Sequence, residues 1–313
     1  MIAIIGGLGA AALWATATLV SSKSSRMIGS RVVIGWVMLV GLIVGLPIAV
    51  ASPEPAQVTP LALALLLLTG ICYVAGLSLT YAAVAIGKVS VVAPIVATEG
   101  AIAAVIAVAL GDTIGLTAGL MLIVIAAGVV LASLEPARPE VPAGGIDITA
   151  DAIEGPATPE TEVAASERGR IPTDAETRRA AILSICAALI FGVGLVATGK
   201  AAALVPVAWV AVAARLVGVV AVTFHLIARR RFTVTRAALP LVVIAGTGEV
   251  FGSMLSAWGS RDSIAITAVL GSQFAAIAAV AAFILFGERL SRVQVIGVVL
   301  IVGGVTVLAA ATA

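Results

Sequence analysis

Residues 70–112 read GICYVAGLSLTYAAVAIGKVSVVAPIVATEGAIAAVIAVALGD, and residues 246–288 read GTGEVFGSMLSAWGSRDSIAITAVLGSQFAAIAAVAAFILFGE. One offset (246 − 70 = 252 − 76 = 287 − 111 = 176) pairs Gly70 with Gly246, Gly76 with Gly252 and Gly111 with Gly287. Each stretch holds two apolar runs and closes on glycine plus an acid, Gly111-Asp112 and Gly287-Glu288. Identity between the two is low, but the surrounding apolar pattern repeats as well. The chain reads as an internal duplication.

Composition fixes the class. Apolar residues make up 61% of the 313 residues and charged ones 11%, outside the range of an ordinary soluble domain. Several uncharged runs exceed the roughly 18 residues that mark a membrane-spanning helix. The formal net charge of +2 says little about partners, because the charges sit in loops. Cys72 and Cys186 both lie in apolar runs without CxxC spacing, and His225 is the single histidine, so neither a disulfide framework nor a multi-histidine metal site is expected. The apolar run at 1–20 lacks a basic region ahead of it and reads as a retained helix, not a signal peptide.

Ten spans are expected, at about 2–21, 31–51, 61–83, 89–110, 114–133, 180–199, 206–228, 238–258, 264–286 and 293–312. Turn signals separate them, among them Ser21-Ser22, the Pro53/Pro55/Pro60 group and Gly111-Asp112. Residues 134–179 break the rhythm, with ten acids against five arginines (5 − 10 = −5) and few large apolar side chains, and read as an acidic Pro/Ala-rich disordered linker. The domains are therefore 1–133 and 180–313. Trp14 precedes Lys23 by nine residues and Phe191 precedes Lys200 by nine, so the first span of each half also matches. Five spans is an odd number, and the halves must cross the membrane in opposite senses. The fold class is an all-α polytopic membrane protein of ten transmembrane helices, built as two inverted five-helix repeats, an arrangement typical of secondary transporters.

The order of these features resembles the EamA-type branch of the drug/metabolite transporter superfamily. The residues that carry the resemblance are Gly111-Asp112 before Gly119, Gly287-Glu288-Arg289-Leu290 before Gly297, and Arg31-Val32-Val33 beside Arg215-Leu216-Val217 as the arginine of each half's second span. It implies a cavity lined by spans 1, 3 and 4 against 6, 8 and 9. Charge bias orients the chain: Lys23, Arg26, Arg31, Lys88, Arg229–Arg231, Arg236, Arg289 and Arg292 fall in loops of one side, against Lys200 and Arg261 in the short loops of the other. The positive-inside rule then puts both termini outside.

Three ionisable side chains fall near the middle of spans: Glu99, Glu249 and Arg215. A charge at the bilayer centre costs about 2.5–3.5 kcal/mol on insertion scales, so each is expected to face protein or a watery cavity. Glu99 and Glu249 are candidates for proton coupling or for a substrate ammonium. Arg215 is a candidate for a substrate carboxylate, or a structural partner of Glu249. Pro94 removes a hydrogen bond to the Ser90 carbonyl and should bend its span one turn before Glu99. Gln273, in Gly271-Ser272-Gln273, lies at the matching depth, and Trp14 and Tyr73 complete the expected cavity lining.

No nucleotide-binding GxxxxGK[ST], no HExxH and no GxSxG occur, so ATP-driven pumping and common hydrolytic chemistry are not expected. Neither an enzyme, a cofactor, a metal nor a nucleic-acid partner is anticipated. The expected function is proton-coupled or gradient-driven export of small metabolites or amino acids across the plasma (inner) membrane by a monomer or homodimer among lipids. Efflux of lipophilic cations is the alternative within transport, and a non-transporting membrane scaffold or lipid-binding protein the alternative outside it.

Overall fold

The computed structural model describes residues 1–52, 59–86, 89–133, 173–274, 276–277 and 292–312. Among them the chain is helical: α1 (Ile2–Ile28), α2 (Ser30–Val50), α3 (Pro60–Ile86), α4 (Val89–Val96), α5 (Glu99–Ala109), α6 (Leu116–Ser133), α7 (Asp174–Ala202), α8 (Val207–Gly218), α9 (Phe224–Ala228), α10 (Leu239–Gly259), α11 (Ile264–Gly271) and α12 (Arg292–Thr312). A five-residue π-helix, Val219–Thr223, joins α8 to α9. Six of these stretches are long and apolar enough to cross a membrane: 2–25, Ser30–Val50, 60–83, Asp174–Ala202, 207–228 and Leu239–Gly259. The expected Gly287–Leu290 motif, Lys88, most of the expected linker and the last part of the ninth span lie outside the described residues.

The bundle is apolar on the outside and packed with small residues within. Leu116 is 82% exposed and Val105 71%, whereas alanine dominates the buried set. That distribution suits a hydrocarbon surround, where tight packing replaces the hydrophobic drive between helices. Helix α1 packs on α10, α3 on α7, α6 on α12, and α5 on α11. Close approach requires glycine at the α1–α10 crossing, since a Cβ on Gly6 would sit 2.6 Å from the Gly259 Cα and 2.7 Å from the Leu255 carbonyl oxygen.

The contacts are exchanged between the N-terminal and C-terminal helices. Trp14 of α1 lies over Gly252 of α10, and Phe191 of α7 lies over Gly76 of α3. Val217 of α8 covers Gly70 of α3, while Val40 of α2 covers Gly246 of α10. Arg215 of α8 occupies the space at Gly41, and Met38 of α2 the space at Gly218. This last pair corrects one sequence expectation: the counterpart of Arg215 is Met38 (215 − 38 = 218 − 41 = 177), not Arg31, whose side chain is exposed.

Three further boundaries differ from the sequence reading. Helix α7 begins at Asp174, inside the expected linker, because Thr173 and Glu176 form a capping box that satisfies its first amide groups. The fourth span is two helices, broken at Ala97-Thr98 three residues after Pro94. The ninth also breaks, at Ser272-Gln273, with no proline to force it. In each break a hydroxyl bonds a carbonyl three residues back, Thr98 Oγ1 to Ile95 O at 2.6 Å and Ser272 Oγ to Val269 O at 2.9 Å, which competes with continuation of the helix.

A Gly6→Ala substitution is expected to lower stability by about 1–3 kcal/mol, as overpacking against backbone does. Gly303→Ala, at a position with nothing within 4 Å, should leave it unchanged. Thermal unfolding of the two variants in the same detergent checks this.

Candidate functional site

A cavity of about 320 Å³ lies between the N-terminal helices α1, α3 and α5 and the C-terminal helices α7, α8 and α10. Its floor is buried, at Thr69, Val210 and Ser256. From there it extends to Thr18 and Tyr81, both exposed, toward the C-terminal ends of α1 and α3. Trp14, Tyr73, Glu99, Arg215 and Glu249 all line it, so five of the sequence candidates converge. Pro94 and Gln273 do not. Both are buried behind the wall, Pro94 ahead of the break that presents Glu99 and Gln273 in the equivalent break of α11. The Gln273 Nε2 has no hydrogen-bond partner among the described residues.

Arg215 is fully buried and is held from several helices. Its Nη2 donates to the Glu249 carbonyl at 2.7 Å and to Ser253 Oγ at 2.8 Å, and lies 3.5 Å from Glu249 Oε2. The Tyr73 ring centroid is 5.0 Å from Arg215 Cζ, and the Tyr73 hydroxyl donates to Glu249 Oε2 at 2.8 Å. Arg215, Glu249 and Tyr73 thus form one neutralised cluster. Two guanidinium nitrogens, Nε and Nη1, make no bond and are shut off from any solvent-sized probe. One turn beyond Arg215 the chain enters the π-helix, whose Thr223 hydroxyl donates to the Gly35 carbonyl of α2 at 2.9 Å. Such single-turn π segments commonly mark functional sites.

Glu99 differs. It is buried, opens α5, and has neither a hydrogen-bond donor nor a cation against its carboxylate among the described residues. The positive end of the α5 dipole is its nearest compensation. Gly100 lets this helix start pack on the end of α11, since a Cβ there would lie 2.5 Å from both the Ala268 carbonyl and Ser272 Oγ. The two broken helices therefore touch at their breaks.

Sequence reasoning missed the seventh span's share of the wall (Val210, Ala211, Ala214), Phe191, Phe274 and the threonines Thr18, Thr69, Thr80 and Thr198. The repeat carried a signal for Phe191, the partner of Trp14. The threonines had none: Thr18, Thr80 and Thr198 bond carbonyls of their own helices, and a lone hydroxyl in an apolar run disturbs no pattern.

Beyond the cavity floor, three charged residues hold one end of the bundle shut. Asp112 Oδ2 accepts from Ser263 Oγ and the Ala265 amide at 3.2 and 2.9 Å, capping α11 from the end of α5. Asp262 Oδ2 accepts from the Ala3 amide at 3.1 Å, capping α1. Arg261 donates to the Ala202 and Val205 carbonyls, at 2.7 and 3.2 Å, at the end of α7. Asp112 is the acid of the Gly-acid motif, and its place at an interhelical cap explains why an acid closes that repeat.

Removing Arg215 alone strands the partly buried Glu249 carboxylate, and Arg215→Met is expected to cost about 3 kcal/mol, the lower end for a broken buried pair. Adding Glu249→Gln should recover most of that loss. Chemical or thermal unfolding of the single and double variants reads both.

The EamA-like transporter family model matches residues 1–134. A crystal structure of another protein superposes with a TM-score of 0.70 over 97% of this chain and 95% of that one, at 18% identity, which shows a shared fold across nearly the full length. No curated protein matches this sequence. Residues 1–134 thus match the EamA-like transporter family, which belongs to the drug/metabolite transporter superfamily of membrane transporters.

Proposed function

We propose that the protein is a secondary transporter that exports small organic molecules across the plasma membrane by alternating access, driven by a proton or substrate gradient. The observation that carries this is the cavity between the N- and C-terminal helices, with a buried, partnerless Glu99 on its wall and one end tied shut by Asp112, Asp262 and Arg261. Ten helices in two inverted five-helix repeats, 1–133 and 180–313, account for the exchanged packing: Trp14 over Gly252 against Phe191 over Gly76, and Arg215 over Gly41 against Met38 over Gly218. An inverted repeat gives two pseudo-equivalent ways to close the same cavity, which is the physical basis of alternating access. The exposed end of the cavity, at Thr18 and Tyr81, lies on the side of Arg31, Arg229, Arg230, Arg231 and Arg236. By the positive-inside rule that side is cytoplasmic, so this conformation loads from the cytoplasm and both termini lie outside.

Glu99 is the coupling group in this reading, and the Arg215–Glu249–Tyr73 cluster is the fixed scaffold beside it. The test is counterflow and uptake in proteoliposomes under an imposed pH gradient, with a panel of amino acids, small organic acids and organic amines. Wild type is expected to move at least one panel member faster than empty vesicles. Glu99→Gln should lose the dependence on the pH gradient while remaining monodisperse. A folded wild type that moves nothing on the panel counts against transport of these classes. A Glu99→Gln variant with unchanged coupling moves the role elsewhere.

Opening the shut end must break its caps. Asp112→Asn is therefore expected to shift the resting population toward the outward-facing state. Cysteine accessibility at a floor position such as Val210, read with a membrane-impermeant thiol reagent in a Cys72→Ala, Cys186→Ala background, should rise on the extracellular side.

A further inference from the structure

We infer that the cavity is built for a monovalent organic amine with an apolar body, its ammonium on Glu99, and that it does not take ligands through a carboxylate. The inference rests on the transporter reading for its purpose but not for its chemistry, which comes from sorting the polar groups of the cavity into donors and acceptors.

The accessible threonines and Glu99 are acceptors. Thr18 donates its hydroxyl proton to the Trp14 carbonyl at 2.8 Å, Thr80 to the Gly76 carbonyl at 2.9 Å, and Thr198 to the Gly194 carbonyl at 2.9 Å. With its one proton committed to its own helix, each hydroxyl has only lone pairs left for a ligand. Glu99 adds a carboxylate that nothing else engages. Of the groups with unused donors, Arg215 Nε and Nη1 and Trp14 Nε1, packed at Gly41 and Gly252, and Thr69 Oγ1 are sealed from solvent, which leaves only the neutral hydroxyls of Tyr81 at the open end and Ser256 at the floor. The remaining Arg215 nitrogen is committed to the Glu249 and Ser253 oxygens. A substrate carboxylate entering this cavity would meet lone pairs, a carboxylate and two neutral hydroxyls, Tyr81 and Ser256, and no free cation among the described residues.

Charge points the same way. Arg215 and Glu249 offset each other within one cluster, which leaves Glu99 as the uncompensated site for charge. The walls carry the aromatic rings of Trp14, Tyr73, Tyr81, Phe191 and Phe274. An organic cation is attracted to such faces, and its apolar body is buried against them. A volume of about 320 Å³ sits at the lower end of the range for ligand pockets, which favours a small amine over a bulky multi-ring cation.

The probes are phenethylamine, phenylalanine and 3-phenylpropionate, which share an aromatic body and differ in charged groups. Binding to detergent-purified, full-length protein is measured by tryptophan fluorescence and by thermal shift at neutral pH, with sodium chloride as a separate titrant. Phenethylamine is expected to bind and stabilise the wild type, with phenylalanine and 3-phenylpropionate at least about tenfold weaker, the scale of a lost charge-assisted hydrogen bond. Glu99→Gln should weaken phenethylamine by about tenfold or more, and Thr198→Val by a few-fold. Equal or tighter binding of 3-phenylpropionate or phenylalanine overturns the inference. So does unchanged phenethylamine affinity in both Glu99→Gln and Thr198→Val, absence of phenethylamine binding by folded wild type, or the same stabilisation by sodium chloride alone. Binding as described without flux in proteoliposomes keeps the amine site and removes the transport reading. Flux of an acid with no dependence on Glu99 does the reverse.

Discussion

A guanidinium with no exposed surface must be neutralised from inside the protein, and Arg215 dictates much of what surrounds it. One side needs acceptors, which α10 supplies through the Glu249 carbonyl, the Glu249 carboxylate and Ser253. The face of the ion needs a polarisable neighbour, and α3 supplies the Tyr73 ring. The stem needs room, and α2 supplies it by having glycine at position 41. Helices α2, α3, α8 and α10 are thereby tied together around one charge. The cost of a buried ion makes that arrangement specific: any rotation of α8 that withdraws the acceptors leaves a bare charge in a low-dielectric interior.

The other packing contacts follow a gentler rule. Where lipid surrounds the protein, helices gain little from hiding apolar surface and much from fitting closely, so large side chains sit opposite glycines. Trp14 and Gly252, Phe191 and Gly76, Val40 and Gly246, Val217 and Gly70 are four instances. Arg215 opposite Gly41 is the same device with Met38 opposite Gly218 as its apolar counterpart. The two sockets match in shape, and only one of them holds a charge. A site in an otherwise symmetric frame arises where the copies differ: Met38 against Arg215, Tyr73 against Glu249, Glu99 against Gln273.

That pattern also explains how much was readable in advance. Apolar run length pointed to the membrane class and to the six helices long enough to cross it, and the Gly76/Gly252 and Trp14/Phe191 correspondences were visible because each pair keeps a fixed offset. Depth was readable too, which is why Glu99, Glu249, Arg215, Tyr73 and Trp14 were chosen and meet in one cavity. Rotation was not readable. An almost uniformly apolar helix carries no polar face to orient it, so Pro94 and Gln273, at the right depth, were expected on the wall and stand behind it. Arg31 was matched to Arg215 by residue type, whereas the contacts match by the position of a glycine. The start of α7 at Asp174 lay in the acidic stretch because its capping box uses the same polar residues that mark a linker.

The two carboxylates of the cavity illustrate why burial alone does not identify a working group. Glu249 is bonded by Tyr73 and paired with Arg215, so adding a ligand there means displacing partners already in place. Glu99 has no such partners, and its helix begins at a break where a threonine hydroxyl and the end of α11 provide the local support. A ligand shifts a conformational equilibrium only by the difference in its affinity for the two states. A group already satisfied offers little such difference, because its contacts persist with or without the ligand. An unsatisfied carboxylate at a helix break offers a large one, since whatever cation it takes also fixes the geometry of the two broken helices that touch there. In the proposed transport cycle, Glu99 is where occupancy of the cavity would be converted into movement of the bundle.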